Sequence, residues 1–311
     1  MMDRIVRFAG CLRRPGWVVI CCAMVWAGTA RADYRDSIAV LRIGMVETHV
    51  AATDPVKLEA IQLAFANALG IPVEIIKLGS YAALIDAHAS GRVGYAIHSA
   101  RSFAATQAAC GCVRAFRIPV AADGSTGFRS VLVARDSVTV PVADLKVGYS
   151  DESSVSGWQI PHQAITAGSL DLPKLVRGGS VSAVIESYQA GEIDGFFGWL
   201  PDIPGDGGAG LERLFGGWNR TALESAEPLR IIWSSQRIPY GPHAANRSLP
   251  DDLVEALGAF LDKMATSAPG LLDIFEPAHS GGYVIPGPEE YQNIRGLVEA
   301  MPDRQSASSV P

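Results

Sequence analysis

Residues 151–161 of the chain read Asp-Glu-Ser-Ser-Val-Ser-Gly-Trp-Gln-Ile-Pro. They follow Lys146–Tyr149, which reads as a β-strand, and they open a stretch that reads as a helix. Hydroxyl groups and free backbone N–H groups therefore gather at a helix N-terminus after a strand. The first amides of a helix lack internal acceptors, and the helix dipole favours negative charge. The segment thus predicts an anion site, with ordinary serine capping around water as the alternative.

The same alternation of strand and helix extends along the chain on both sides of this segment. Asp54 and Pro55 predict a helix start, and Gly70 predicts its end. Further helices are predicted from Ser80 to near Gly91 and over Ser99–Ala109. Strands separated by helices imply a parallel sheet covered by helices, so the fold class is α/β. The strands predicted before residue 146 are Ile38–Met45, Val73–Leu78, Val93–Ile97, Val113–Val120 and Gly127–Arg135.

An internal sequence similarity suggests that a unit of helix and strand occurs twice in the chain. The stretch 80–97 reads as a helix cap, a helix, a glycine turn and a strand, and the stretch 180–197 reads the same way. Ser80 corresponds to Ser180 and Gly91 to Gly191, at a constant offset of 100 residues. Two similar α/β lobes would explain this internal similarity, and coincidence is the alternative.

Composition and charge limit the classes of function. The chain has 311 residues, of which 48% are hydrophobic, and its formal net charge is -6. This length suits two lobes of roughly 100–150 residues each. Nucleic acid is not an expected partner, because an acidic chain has no overall attraction to a polyanion. No zinc-protease, Walker or Gly-x-Ser-x-Gly motif is present, so we expect no enzyme, no cofactor and no metal.

The N-terminal and C-terminal segments differ in composition from the rest of the chain. Four arginines precede an apolar run over Trp17–Ala27, and small residues stand at the -3 and -1 positions of a cut after Ala32. This pattern predicts a secretory signal peptide over residues 1–32, with a membrane anchor as the alternative. Of five cysteines, only Cys110 and Cys112 lie beyond it. Residues 301–311 are expected to form a flexible tail.

Several segments, taken in chain order, resemble the periplasmic phosphate/phosphite/phosphonate-binding proteins, the substrate-binding subunits of phosphonate ABC importers. Residues 151–161 resemble the family pattern Asp-Pro-x-Ser-Thr-Ser-Gly followed by an aromatic residue and a proline. The other matching segments are Gly79–Tyr81, Ala122–Ser130, Ile231–Trp233 and Ile238–Pro239. The resemblance implies a type II periplasmic-binding-protein fold, in which two α/β lobes joined by two crossovers enclose a ligand cleft. Lobe 1 would comprise residues 38–130 plus 238–300, and lobe 2 residues 131–237.

The resemblance also implies a set of ligand-binding residues. Four positions depart from the family pattern: Val155 replaces a threonine, His98 a tyrosine and Val181 a histidine, and an acidic residue that meets the amino group of aminophosphonates falls near Trp199. These changes remove polar contacts and argue against an aminoalkyl phosphonate as the ligand. The implied site comprises Tyr81, His98, Ser99, Ser154, Val155, Ser156, Gly157 and Trp158.

Cys110-Gly111-Cys112 has no counterpart in the family pattern. A disulfide across one residue would be strained, whereas a reduced thiol pair would suit a thiophilic species. A related branch senses arsenic oxyanions, so Cys110 and Cys112 form a possible thiol site. The helix that begins at Ser99 would place this pair ~15 Å from the cleft.

The sequence thus predicts a monomeric periplasmic protein that passes a small oxyanion, such as phosphate, phosphite or a simple phosphonate, to an ABC permease. The alternative is an arsenite sensor that signals to a two-component histidine kinase.

Overall fold

The computed structural model describes residues 33–47, 54–152, 154–202, 211, 214, 228–292 and 294. The predicted signal peptide, its cleavage site and the tail at 301–311 lie outside these residues. Within the described ranges, none of the helices combines the length and the apolar character needed to cross a bilayer.

Two mixed six-stranded sheets organise the chain. The first sheet has the strand order β12-β4-β11-β3-β1-β2. Strand β1 pairs in parallel with both β2 and β3, whereas β11 and β12 run antiparallel to their neighbours. The strands are β1 (Leu41–Val46), β2 (Val73–Leu78), β3 (Tyr95–Ile97), β4 (Val113–Val120), β11 (His243–Asn246) and β12 (Gly282–Val284).

The second sheet has the order β10-β5-β8-β6-β7, and β9 also pairs with β5. Strand β6 pairs in parallel with β7 and β8, so it occupies the place that β1 holds in the first sheet. The strands are β5 (Gly127–Arg135), β6 (Lys146–Tyr149), β7 (Lys174–Arg177), β8 (Gly195–Pro201), β9 (Leu229–Ser234) and β10 (Ile238–Pro239). We call the two sheets with their helices lobe 1 and lobe 2.

Helices connect the strands of each lobe. Lobe 1 contains α1 (Tyr34–Ser37), α2 (Pro55–Leu69), α3 (Tyr81–Ala89), α4 (Ala100–Cys110), α7 (Asp251–Ser267) and α8 (Pro269–Phe275). Lobe 2 contains a π-helical turn (Val155–Gln159), α5 (Ile160–Thr166) and α6 (Val181–Gln189). The two lobes are therefore both α/β, as the sequence predicted.

Strand pairing corrects the predicted boundary between the lobes. Residues 127–130 and 238–239 were expected in lobe 1, but β5 pairs with β8 from Phe128 onward and β10 pairs with β5. Because β5 is one continuous strand, its first residues cannot belong to the other sheet. The crossovers are thus residues 121–126 and 240–242. They lie side by side, and the amide of Tyr240 donates to the carbonyl of Thr126 at 3.0 Å.

Local sequence explains the ends of α2. The carboxylate of Asp54 accepts from the amides of Val56 and Lys57, Pro55 occupies the first helical position, and Gly70 ends the helix with φ 69°. A left-handed residue is strained unless it is glycine, so both predicted ends are confirmed. The buried face of α2 packs into the core of lobe 1, where Phe65 meets Phe275 edge to face.

The first described residues are held firmly against lobe 1. The ring of Tyr34 is buried, and its hydroxyl donates to the carbonyl of Leu69 at 2.8 Å. The amide of Tyr34 donates to the carboxylate of Asp252 at 3.2 Å. Tyr34 is therefore anchored on lobe 1 by both its side chain and its backbone.

Candidate functional site

Two of the parallel strands in each lobe are followed directly by the N-terminus of a helix. In lobe 1, Ser80 caps α3 after β2 and Ser99 caps α4 after β3. In lobe 2, Ser154 caps the π-helical turn after β6 and Ser180 caps α6 after β7. Open α/β sheets bind ligands outside the carboxyl ends of their strands. These four serines therefore mark the candidate site.

The turn after β6 uses some of its predicted anion-binding groups internally. The hydroxyl of Ser154 accepts from the amide of Gly157 at 3.0 Å, and the carbonyl of Ser154 accepts from the amide of Trp158 at 3.0 Å. Within the described ranges, the amides of Val155 and Ser156 and the hydroxyl of Ser156 form no hydrogen bond. These three groups remain available to a ligand, whereas the amides of Gly157 and Trp158 are occupied.

Packing fixes the turn on the second sheet. The hydroxyl of Ser130 donates to the carbonyl of Ser156 at 2.6 Å. A Cβ atom at Gly157 would lie 2.7 Å from the hydroxyl oxygen of Ser154 and 2.9 Å from that of Ser150. Only glycine fits this approach, because real Cβ atoms do not come so close to other heavy atoms.

The side chain of Trp158 anchors the turn. Its ring centroid lies 4.4 Å from that of Tyr149 and 4.9 Å from that of His162. The indole thus packs between two rings of lobe 2, each tilted relative to it, and helps to hold the turn in position.

A paired carboxylate flanks the same turn. Glu152 accepts from the hydroxyl of Tyr149 at 3.1 Å and pairs with Arg177 at 3.2 Å. Its own backbone amide, followed by Tyr149 and Arg177, lowers the pKa of Glu152. The arginine offsets a negative charge that would otherwise repel an anion at Ser156.

Tyr81 begins α3 and is partly exposed, with 38% of its surface accessible. Burial raises the pKa of the Tyr81 phenol, and the negative charge of Glu276 adds to the effect. The phenol therefore stays protonated and can donate a hydrogen bond to an oxyanion.

The structure places His98 behind the site surface, which corrects its predicted role as a direct ligand contact. Its side chain is buried, with 4% exposure. Nδ1 lies 3.0 Å from the hydroxyl oxygen of Ser102, and Nε2 lies 2.8 Å from Nδ1 of His88. Both ring nitrogens are thus engaged within lobe 1. Ser99, in front of His98, is half-buried and caps α4 in a reciprocal capping box with Ser102.

The second crossover packs directly against the backbone of His98 and Ser99. A Cβ atom at Gly241 would lie 1.8 Å from the carbonyl oxygen of His98 and 2.7 Å from the Cα atom of Ser99. The amide of His98 donates to the carbonyl of Pro242 at 3.1 Å. The backbone that joins the lobes therefore positions the residues that begin α4.

Sequence reasoning missed His88 and Ser102. A signal was present for both, since His88 lies four residues after Leu84 on the buried face of α3, and Ser102 lies three residues after the capping Ser99. The sequence did not show that helix α3, which carries His88, contacts helix α4, which carries Ser102.

Cys110 and Cys112 form a disulfide, with their Cα atoms 5.0 Å apart. Gly111 between them is left-handed, with φ 60°, and ends α4. The pair lies at the opposite end of this 11-residue helix from Ser99, about 16 Å away at 1.5 Å per residue. Among the described residues, no group of three histidine, cysteine or acidic side chains could hold a metal ion.

Several solved structures superpose on this chain at low sequence identity. XAC2383 from Xanthomonas citri, solved with chloride ion, superposes with a TM-score of 0.56 at 14% identity, covering 85% of this chain and 97% of that chain. Transferrin 1 from Manduca sexta gives a TM-score of 0.51 at 13% identity, covering 84% of this chain and 46% of that one. PhnD1 from Prochlorococcus marinus, solved with methylphosphonate, gives 0.49 at 16% identity, covering 84% of this chain and 97% of that one. No curated protein matches the sequence.

A family model supplies the closer relationship. The model described as "ABC transporter, phosphonate, periplasmic substrate-binding protein" matches residues 55–291. This range includes all four capping serines, both crossovers and most strands of both sheets. The fold is that of type II periplasmic binding proteins, and the chain belongs to the periplasmic substrate-binding proteins of phosphonate ABC transporters.

Proposed function

We propose that the protein captures a small oxyanion of the phosphate, phosphite or simple phosphonate type between its lobes and delivers it to an ABC permease. The observation that carries the proposal is the turn after β6. There the amides of Val155 and Ser156 and the hydroxyl of Ser156 stand at a helix N-terminus without a hydrogen-bond partner in the described part of the chain.

The hydrogen-bond donors around this turn suit such a ligand. Two amides and one hydroxyl supply three donors to an oxyanion, and Tyr81 is a protonated donor on the other lobe. The side chain of Val155 is 45% exposed and apolar, which favours a ligand without an ammonium group on that side. A simple methyl substituent or a bare oxyanion fits this description better than an aminoalkyl chain.

We further propose that the chain is exported, cleaved after Ala32 and active as a periplasmic monomer. The tight docking of Tyr34 on Leu69 supports a mature protein that begins at Asp33. N-terminal sequencing of the protein from a periplasmic fraction tests this: a mature start at residue 33 is expected, and an intact N-terminus would contradict it.

An arsenite sensor that signals to a histidine kinase is the second candidate. The observation that favours it is the closeness of Cys110 and Cys112, which on reduction would give a thiol pair for a soft metalloid. Its position at the far end of α4 makes it separate from the serine-lined site. Arsenite bound by the cysteines would therefore not close the two lobes on each other directly.

Thermal unfolding with phosphate, phosphite, methylphosphonate, arsenite and arsenate separates the two candidates. A ligand at 100 times its Kd adds about 2.7 kcal/mol to the free energy of unfolding. We expect a rise in Tm with one of the phosphorus oxyanions in both oxidised and reduced protein. A rise with arsenite alone, lost in the Cys110→Ser/Cys112→Ser double variant under reducing conditions, would favour the sensor with a cysteine site instead.

A further inference from the structure

A second cavity lies in lobe 1, outside the serine-lined site. It has a volume of about 260 Å³ and lies between α4, the start of β4 and the chain that follows β12. Strand β4 begins and β11 ends beside it, whereas the serines that cap α3 and α4 follow the carboxyl ends of β2 and β3, at the opposite edge of the same sheet. The residues that matter for its chemistry are Phe103, Arg114, Arg247, Pro286, Pro288 and Tyr291, all of which line the cavity.

Strand pairing brings the two arginines of this cavity close together. Arg114 is paired in register with Ala245, two residues before Arg247. The amide of Arg247 donates to the carbonyl of Cys112 at 2.7 Å, so Arg247 continues the pairing beyond the end of β11. Residues two positions apart across neighbouring strands are diagonal neighbours, roughly 7–8 Å from each other. Two guanidinium groups that line one cavity repel each other at such a spacing unless an anion lies between them.

Each guanidinium group uses few of its N–H donors within the protein. That of Arg114 donates from Nη2 to a carboxylate oxygen of Asp251 at 2.6 Å, and that of Arg247 donates from Nε to the carbonyl of Gly111 at 3.2 Å. Within the described ranges, Nη1 of Arg114 and both terminal nitrogens of Arg247 bond no other residue. These nitrogens are available to a ligand, while the bonds to Asp251 and Gly111 hold the two groups in place.

The charges around the cavity favour a ligand with a single negative charge. Asp251 balances one of the two arginines, and no other acidic side chain of the described residues forms an ion pair with either of them. Glu290, in the segment 286–292 that lines the cavity, is paired with Arg237 instead. One positive charge therefore remains for the ligand. A planar guanidinium group matches a carboxylate in shape and can bind both of its oxygens.

The other walls of the cavity are apolar. Phe103 and Tyr291 are only 2% and 6% exposed, and their rings meet edge to face with centroids 4.9 Å apart. The hydroxyl of Tyr291 donates to the carbonyl of Tyr240 at 2.7 Å, so its proton is not available to a ligand. Pro286 and Pro288 add two further apolar rings. The volume is just below the roughly 300–1,000 Å³ of pockets for drug-sized ligands, so it suits a body of one ring.

We propose that this cavity binds a small carboxylate that carries a single apolar ring, at a site separate from the serine-lined one. Arg114 and Arg247 bind the carboxylate, and the rings of Phe103 and Tyr291 contact the apolar body. The site goes beyond the proposed oxyanion function and does not depend on it. Because Tyr291 also bonds the second crossover, an occupant of the cavity lies close to the backbone that joins the lobes.

Benzoate is the probe for this site, and benzamide is its neutral counterpart. By calorimetry, wild type is expected to bind benzoate, and to bind benzamide about tenfold more weakly or less, because hydrogen bonds to a charged group are lost. No binding of benzoate, or equal affinity for the two compounds, would overturn the proposal.

The variant Arg247→Gln tests the role of the guanidinium group. Arg247 is exposed, so its replacement should leave the fold intact. We expect benzoate affinity to fall about tenfold or more. Arg92→Gln is the matched control, because Arg92 is an exposed arginine of lobe 1 that pairs with Asp86 outside the cavity, and it should bind benzoate as wild type does. Full benzoate affinity in Arg247→Gln would overturn the proposal.

NMR locates the bound benzoate independently of any variant. In ¹H–¹⁵N spectra, benzoate should shift the backbone amides of Gly287 and Arg247, which line the cavity, and leave those of Val155 and Ser156 unchanged. Shifts confined to Val155 and Ser156 would overturn the proposal, since benzoate would then occupy the serine-lined site. If benzoate binds in the cavity but no phosphorus oxyanion binds, the proposed function fails and this second site stands. The reverse result overturns the second site alone.

Discussion

Arg237 and Asp202 form an ion pair in lobe 2, beside the first crossover, with Nε of the arginine 2.7 Å from a carboxylate oxygen. Asp202 follows the last residue of β8, and Arg237 precedes β10. The same guanidinium also binds Glu290 and donates to the hydroxyl of Thr126 at 2.6 Å. One side chain thus ties together the end of β8, the first crossover and the C-terminal segment of lobe 1.

Replacing Arg237 should destabilise the protein more than replacing an arginine of an exposed pair. Arg237→Ala leaves Asp202 and Glu290, each only 21% exposed, without this partner. We expect a loss of about 2–3 kcal/mol in the free energy of unfolding, because removing one partner of a largely buried pair leaves the charge of Glu290 uncompensated, whereas Asp202 keeps its ion pair with Arg129 at 3.0 Å. Arg92→Ala, which breaks the exposed pair with Asp86, is the control, with an expected loss below about 1 kcal/mol. Urea unfolding measures both, and equal losses would contradict this role for Arg237.

Ser154 and Ser156 should differ in what they stabilise. Ser154→Ala removes the cap on the amide of Gly157 and should cost about 1 kcal/mol of stability. Ser156→Ala should leave stability within about 0.5 kcal/mol and weaken oxyanion binding roughly 10- to 100-fold, since its hydroxyl is held by no other described residue. Calorimetry and urea unfolding of both variants measure the two effects. Full affinity in Ser156→Ala would move the ligand away from this turn.

Glu276 should contribute stability that is lost in acid. Burial raises the pKa of its carboxyl group, but hydrogen bonds from His243 at 2.9 Å and His279 at 3.1 Å, together with their charges, bring the pKa down to about 2. A lowered carboxyl pKa stabilises the folded state fully above the ordinary value of 4.5, and this contribution disappears as the pH falls towards 2.

The variant Glu276→Gln tests this contribution. At neutral pH it should be less stable than wild type by on the order of 3 kcal/mol, and the difference should shrink between pH 4.5 and 2. Glu74→Gln, at an exposed pair with Arg42, serves as the control and should change stability by less than about 1 kcal/mol. A difference that stays constant with pH would show that Glu276 acts through packing alone.

His88 should produce a second, separate dependence on pH. Burial lowers its pKa from 6.5 to about 4, so the unfolded chain takes up a proton before the folded protein does. Between these two values the free energy of unfolding should fall by about 1.4 kcal/mol for each unit of decreasing pH from this residue. His88→Met should show a shallower slope over this range, and Thr106→Val, which carries no titrating group, should keep the wild-type slope. Equal slopes in wild type and His88→Met would refute the assignment.

Local sequence was sufficient to predict most of the strands. Val73–Leu78, Val113–Val120, Gly127–Arg135 and Lys146–Tyr149 all have their predicted bounds. Each is a run of β-branched or apolar residues next to a glycine, a proline or a polar turn. The ends of such strands are determined by residues that are close in sequence. The repeat of Ser80 and Ser180 is confirmed as well, since both cap a nine-residue helix before a strand.

Contacts between distant elements could not be predicted in the same way. The composition of β5 does not reveal which sheet its first four residues join, because that depends on pairing with β8 some 70 residues later. The role of His98 depends on His88, which reaches it only because the buried face of α3 packs behind the end of β3. The disulfide depends on a left-handed Gly111 at the helix end, which turns the chain back between the two cysteines.

The place of β11 in the first sheet has a consequence for the order in which the protein folds. This strand, His243–Asn246, lies between β3 and β4, although both of these strands precede it by more than 120 residues. A chain that emerges N-terminus first therefore holds two open strand edges until residue 246 is available, whereas the whole second sheet is complete by residue 239. Lobe 2 can therefore complete its native strand pairing before β11, a central strand of lobe 1, has been synthesised. Open edges are where strands of other chains can add, so a chaperone that binds the nascent protein has most to protect on lobe 1.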